Sequence, residues 1–467
     1  MSFTSLTFLF IFFPISMIVY MLTPKKLKNP VLLVLSLIFY SWGGFKYLIL
    51  IFISVITTWI GSLMMDRSED EEEAKFYMVT LIVINVAILC FFKYYGFLIN
   101  NINAVTGLDL KIINIPLPFG ISFYTFKVIS YIVDVYTKKC KPKKSIVDCA
   151  TYICIFSQIG AGPIVQYNEM EKELASRNTS YVKFGIGMEK FVIGLAKKVL
   201  IANNLALIWA QVKAIPGLEM SALTAWLGII AFTLQIYFDF SGYSDMAIGT
   251  GYMMGFKWAE NFNYPYISRS ATEFWRRWHI SLGNWFKNYI YFPLGGNRCT
   301  KLIHLRNIFV VWMLTGLWHG ARWNFIFWGL YFGIIIYIEK IFLLKKLEKT
   351  NPKIQTIYCL FIVVISWVMF DVDGVRNIFK FYSDLFVFGA NGVVDSYGKY
   401  LFATSWKILL IAILGANTMM KTLIENIKSR FGKKGYIAVS IYYLILFYLS
   451  ISFLVGESYS PFLYFNF

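Results

Sequence analysis

Charge is what this 467-residue chain has least of: Asp, Glu, Lys and Arg fill 15% of its positions, where a soluble domain carries about 25%. Hydrophobic residues reach 58% and the mean hydropathy is +0.60. An ordinary soluble enzyme is excluded, and an all-α polytopic membrane protein is expected. The six cysteines, at 90, 140, 149, 154, 299 and 359, show no CxxC spacing, and Cys90 and Cys359 fall in apolar runs. Neither a metal site nor a disulfide framework is indicated. The sequence lacks a GxSxG nucleophile elbow, a P-loop and an HExxH helix. It has no visible internal repeat, which counts against transporters built from two related halves. It has no large soluble domain either. Histidine is scarcer still, with three in the chain, and none has Asp five residues on: Asn284, Phe309 and Asn324 stand there. That argues against the His-x4-Asp acyltransferases of phospholipid synthesis.

The net charge of +18 does not signal nucleic acid. The basic residues cluster in short connectors, Lys138–Lys144 and Lys428–Lys434, as cytoplasmic loops facing anionic lipid do. The apolar run Phe3–Leu22 has no Lys or Arg before it, while Lys25, Lys26 and Lys28 follow it. It reads as an uncleaved anchor with its N-terminus outside, in a plasma-membrane protein. The acidic loop Asp66–Glu73 reads as a solvated face.

Apolar stretches able to span, or nearly so, run about 3–22, 31–64, 76–92, 115–136, 146–166, 191–212, 222–256, 303–318, 322–344, 354–370, 402–420 and 436–456. Against the ~20 residues that one crossing needs, they give about eleven or twelve spans plus partial helices. The stretch 31–64 is too long for one helix, and Gly43-Gly44 predicts a break. Residues 222–256 are expected to be interrupted at Asp239–Gly242, and 374–393 to be re-entrant. One membrane domain is expected over 1–467, with an active core at about 115–340 and further helices at 354–456.

His319 lies near the middle of the greasy run Ile308–Ile338. Ionisable groups at membrane depth are rare and default to function; the bland alternative is a histidine hydrogen-bonded between helices. Gly316 and Gly320 clear space for another backbone or a substrate chain. His279 sits in the weakly hydrophobic stretch 257–302. A helix capped by Ser270 or Thr272 and running to about Tyr291 puts Trp275, His279, Leu282 and Phe286 on one face. An interfacial helix with an incidental histidine is the alternative there. In the run Gln235–Asp245, buried carboxylates must pair, cap or line water. Asp239 is placed to orient a histidine, and Asp245 to cap a helix from Met246. With no obvious nucleophile, a histidine base acting on an acceptor hydroxyl is the economical mechanism.

These residues carry a resemblance. Ser41-Trp-Gly, Pro118–Phe126, Gly160–Val165, Leu234–Asp245, Glu260–Tyr266, Glu273–Tyr291, Pro293–Arg298 and Leu314–Trp323 resemble the membrane-bound O-acyltransferase family, in its alginate and polysaccharide O-acetylase branch. The likeness covers most of the chain to about residue 340, with no departure at the motif positions; beyond that it is one of hydropathy. It implies a many-helix fold around a transmembrane tunnel, with His319 as the family's Leu-Trp-His-Gly histidine and His279 as its partner. It also implies an acetyl thioester arriving from the cytoplasm and acetyl leaving on the outer face, often through an extracytoplasmic SGNH-type partner protein.

On that reading acetyl-CoA or another acetyl thioester is a donor substrate, and no cofactor is bound. Desolvation would keep the His319 imidazole in its basic form. His279 or Asn284 would polarise the thioester carbonyl, and Arg276, Arg277 and Arg298 would meet donor phosphates or lipid headgroups. Gln235, Asp239, Ser241, Trp275, Trp278 and Trp318 complete the expected site. The expected function is O-acetylation of an extracellular or cell-wall polysaccharide. D-alanyl transfer to teichoic acid is the sibling alternative, and a polysaccharide flippase or transporter the non-enzyme one.

Overall fold

Gly44, at φ 138°, breaks the long apolar stretch 31–64 into two helices, as expected. In the computed structural model, which describes residues 1–456 except Asn114, Phe388 and Ala390, the chain forms helices α1 Phe8–Leu22, α2 Lys28–Ser41, α3 Phe45–Arg67 and α4 Glu71–Thr106. Then follow α5 Ile121–Tyr136, α6 Ile146–Cys154, α7 Phe156–Ile159, α8 Tyr167–Ala175, α9 Tyr181–Lys213 and α10 Ala222–Met253. The remainder are α11 Ala271–Arg277, α12 Ile280–Phe286, α13 Lys301–His319, α14 Trp323–Leu347, α15 Pro352–Asp371, α16 Val375–Leu385, α17 Ser396–Gly415 and α18 Met419–Gly456. No strand occurs among the described residues.

Eight of these helices, α3, α4, α9, α10, α14, α15, α17 and α18, are long and apolar enough to cross a membrane. The other apolar stretches fold differently. Residues 115–136 yield the 16-residue α5 and 146–166 split into α6 and α7. Residues 303–318 fall in α13, whose first turns carry Lys301, His304, Arg306 and Asn307. The stretch 374–393 contains the 11-residue α16.

The described residues group into two units. The first holds Met1–Phe191, Ala247–Ala259 and Asn284–Pro293. Its α5 is buried along most of its length. Trp285 stacks on Phe126 at 3.7 Å and donates to its carbonyl at 3.0 Å. The buried Asp134 carboxylate accepts from the Tyr289 hydroxyl at 2.9 Å and from the Asn168 backbone at 3.0 Å.

The second unit holds Val192–Met246, Glu260–Gly283 and Leu294–Phe467. Within it, a Cβ on Gly242 would stand 2.7 Å from the Gly194 carbonyl, so α9 and α10 cross backbone to backbone. α13 and α14 form a hairpin with a similar crossing: a Cβ on Gly316 would meet the Phe325 carbonyl at 2.3 Å, and one on Gly329 the Trp312 carbonyl at 2.4 Å. The space cleared by Gly316 is thus taken by another backbone, as small residues allow in membrane helices.

Three sequence expectations need correction. α10 is one unbroken helix through Asp239–Gly242. Asp239 stays helical because Lys198 neutralises it, and Gly242 because the crossing with α9 needs its missing side chain. Asp245 therefore caps nothing; it lies inside α10 and pairs with Lys197 at 2.7 Å. The helix expected from Ser270 to Tyr291 does begin on a Ser270 cap, whose hydroxyl accepts from Glu273 N at 3.0 Å. It then breaks at Trp278–His279, so Trp275, His279, Leu282 and Phe286 do not share the face of one helix.

Candidate active site

The break that ends α11 has a local cause. Asn261 offers its backbone carbonyl to Ile280 N at 2.9 Å and its side-chain oxygen to Ser281 N at 3.1 Å. Those two amides would otherwise need acceptors one turn back in a continuous helix. Asn263 N in turn donates to the Arg277 carbonyl at 2.9 Å. Between these bonds Trp278 is extended and His279 takes φ 44°, a left-handed conformation that histidine tolerates better than most residues. A non-glycine residue held there stores strain, and such strain collects at functional sites.

Upstream, the start of α11 is fixed from α14. The fully buried Glu339 carboxylate accepts from Ala271 N and Thr272 N, both at 2.8 Å, and from the Thr272 hydroxyl at 2.6 Å. An anion on the first turn satisfies amides that no helix can satisfy for itself. α11 is thereby tied to the hairpin whose turn holds His319.

His279 and His319 are 2% and 4% exposed. The Trp318 ring lies 5.8 Å from the His279 ring and 5.0 Å from the His319 ring, so one indole borders both imidazoles. His319 is also flanked by Trp328 at 5.2 Å and Phe370 at 5.1 Å, His279 by Phe240 at 4.5 Å. Trp275 packs edge-on against Trp312 and Trp328, and Trp278 meets Trp367 at a tilt of 45°. The result is an aromatic cage built from α11, α13, α14 and α15. His279 lies between short helices, outside the eight spans, and burial pushes its pKa down to about 3. It is therefore a neutral ring at physiological pH.

His319 is the last residue of α13; Gly320 after it is extended, and Arg322 already forms an exposed ion pair with Asp373 at 2.6 Å. The histidine is placed at the turn of a hairpin, between the helices formed by the apolar stretches 303–318 and 322–344.

The other expected site residues divide. Trp275, Trp278 and Trp318 belong to the cage. Asp239 forms a buried ion pair with Lys198 at 2.5 Å, and the acceptor facing His279 Nδ1 is the Asn261 amide oxygen at 3.3 Å rather than a carboxylate. Gln235 Oε1 and Ser241 Oγ are buried with no hydrogen-bond partner among the described residues, so a polar ligand or water would satisfy them. Arg277 is engaged by Glu273 at 2.9 Å, while Arg276 and Arg298 are exposed. Asn284 is an exposed residue of the first unit.

Lys198 and Asn261 escaped the sequence reading. A Lys-Lys pair inside the apolar stretch 191–212 was the available signal for Lys198, which sits in a π-helical turn, Lys197–Ala202. Such turns are frequent at functional sites.

Eight helices long and apolar enough to cross a membrane mark an integral-membrane protein, and comparison with known proteins says of which kind. The model of the MBOAT, membrane-bound O-acyltransferase family, matches residues 142–372. The chain is 35% identical to the "Probable alginate O-acetylase AlgI" of Azotobacter vinelandii over 100% of both chains. It is 33% identical to the peptidoglycan O-acetyltransferase of Helicobacter pylori, over 83% of this chain and 79% of that one. With the teichoic acid D-alanyltransferase of Bacillus subtilis it shares 30% identity over 50% of this chain and 60% of the other. The chain belongs to the membrane-bound O-acyltransferase family. It is a multi-pass membrane O-acyltransferase.

Proposed function

We propose that this enzyme, in the plasma membrane, takes acetyl groups from a cytoplasmic thioester such as acetyl-CoA and delivers them for O-acetylation of an extracytoplasmic polysaccharide. The observation that carries the reading is the buried imidazole pair bordering one indole. An imidazole shielded from water suits proton abstraction from a hydroxyl. Acetyl is favoured over D-alanyl as the acyl group because the relatives named for O-acetylation align over all or most of this chain, and the D-alanyltransferase over half of it.

In this reading His319 is the general base. The acceptor oxygen forms its bond to the thioester carbonyl carbon as its proton passes to the imidazole. The C–S bond then breaks, and the departing thiolate takes that proton, giving an acetyl ester and a free thiol. The acceptor is a sugar hydroxyl or a hydroxyl of an SGNH-type partner that makes the final ester outside. Gln235 and Ser241 are the polar atoms offered to substrate on α10. Arg276 and Arg298 are the exposed cations suited to phosphates of the donor.

The test is transfer of labelled acetyl to polymer by membranes carrying His319→Ala. A well-inserted variant should lose activity by about 10²–10⁴-fold, the usual worth of a positioned base. Unchanged acetylation at equal expression would overturn the assignment.

A further inference from the structure

We infer that Asn261 is a positioning residue that holds His279 in its Nδ1–H form, so that Nε2 faces the substrate as a hydrogen-bond acceptor. The atoms around the Asn261 side chain have roles that leave no choice. A backbone N–H only donates, and Ser281 N points at one side-chain atom of Asn261 at 3.1 Å. That atom is therefore the amide oxygen, and the orientation of the Asn261 amide follows. Its other end, Nδ2, is then a donor, and it reaches the Ser244 hydroxyl on α10 at 3.0 Å. The Ser281 hydroxyl approaches the same Asn261 oxygen at 2.9 Å. His279 Nδ1 lies 3.3 Å from that oxygen. A pure acceptor opposite Nδ1 demands a proton there. In a neutral imidazole the lone pair is then on Nε2.

The chemical consequence separates the two histidines. In this form His279 cannot donate to a thioester carbonyl, so the polarising role expected for it is not available. What it can recognise is a donor: an amide N–H of the thioester's carrier arm, or the acceptor hydroxyl itself. His319 keeps the proton transfer, and His279 orients the group that presents it. The left-handed backbone at His279 is part of the same device, because it brings the ring and the residue 281 amide onto the Asn261 side-chain oxygen while the residue 280 amide bonds the Asn261 backbone carbonyl.

The inference rests on the two-histidine reading above, but it can fail separately. The enzyme has three histidines, so ¹⁵N-histidine labelling in detergent gives a spectrum that single His→Gln variants assign. Wild-type His279 should show a protonated Nδ1 and a bare Nε2. Asn261→Asp, which keeps an acceptor opposite Nδ1, should retain that signature and recover acetylation to within about tenfold of wild type. Asn261→Leu should shift the proton to Nε2 and lower kcat by up to about 10⁴-fold, the scale seen when a catalytic histidine is held in the wrong tautomer. A wild-type spectrum with the proton on Nε2 overturns the inference, even should the variants fail to fold. Full activity of His279→Ala would instead defeat the two-histidine reading and leave the spectrum to stand.

Discussion

Lys198 Nζ and Asp239 Oδ1 lie 2.5 Å apart with side chains only 6% and 2% exposed. A buried ion pair adds little net stability, but losing one partner leaves a charge stranded. Lys198→Met should therefore destabilise the enzyme by about 3–5 kcal/mol. Lys198→Met with Asp239→Leu should recover most of that loss. Thermal unfolding in detergent measures both; additive losses in the double variant would refute the coupling.

Burial of His279 makes stability depend on pH with a definite sign. Its pKa falls to about 3 in the fold, against about 6.5 in an unfolded chain. Between those values the unfolded state binds a proton that the native state does not, so stability falls as pH falls from about 6.5 toward about 3. The slope for one such group is about 1.4 kcal/mol per pH unit. The stability difference between wild type and His279→Gln should shrink along that slope on acidification. A difference independent of pH would contradict it.

The hairpin crossing predicts an asymmetry between two neighbouring glycines. At Gly316 an added methyl meets a backbone carbonyl at 2.3 Å, which cannot yield without shifting α14. At Gly320 it meets the Phe325 ring, a side chain able to turn. Gly316→Ala should cost about 1–3 kcal/mol and Gly320→Ala clearly less. Equal melting temperatures for the two variants would argue against the crossing.

How far the sequence reached is visible at single residues. Scarce charge and long apolar runs gave the helical membrane fold, and Gly43-Gly44 gave a true break. Asp239–Gly242 looked like a similar break and was not, because the compensating lysine and the facing glycine come from α9. Their proximity is tertiary, and local pattern cannot report it. The two histidines were legible because imidazoles are scarce here, three in 467 residues, and the tryptophans only as their neighbours in the same motifs. Asn261 was not, since its role depends on amides of residues 280 and 281 that become free only after the helix has broken.

One imidazole hangs from a backbone turned to φ 44°. Function and foldability are therefore tied to the same peptide in opposite directions. A glycine at position 279 would suit the chain's path better than the native residue while erasing the ring. A valine or isoleucine would lose on both counts. On the role proposed for His279, a recognition group sits on a strained stretch of main chain, so screening for sturdier variants at that position selects for inactive ones.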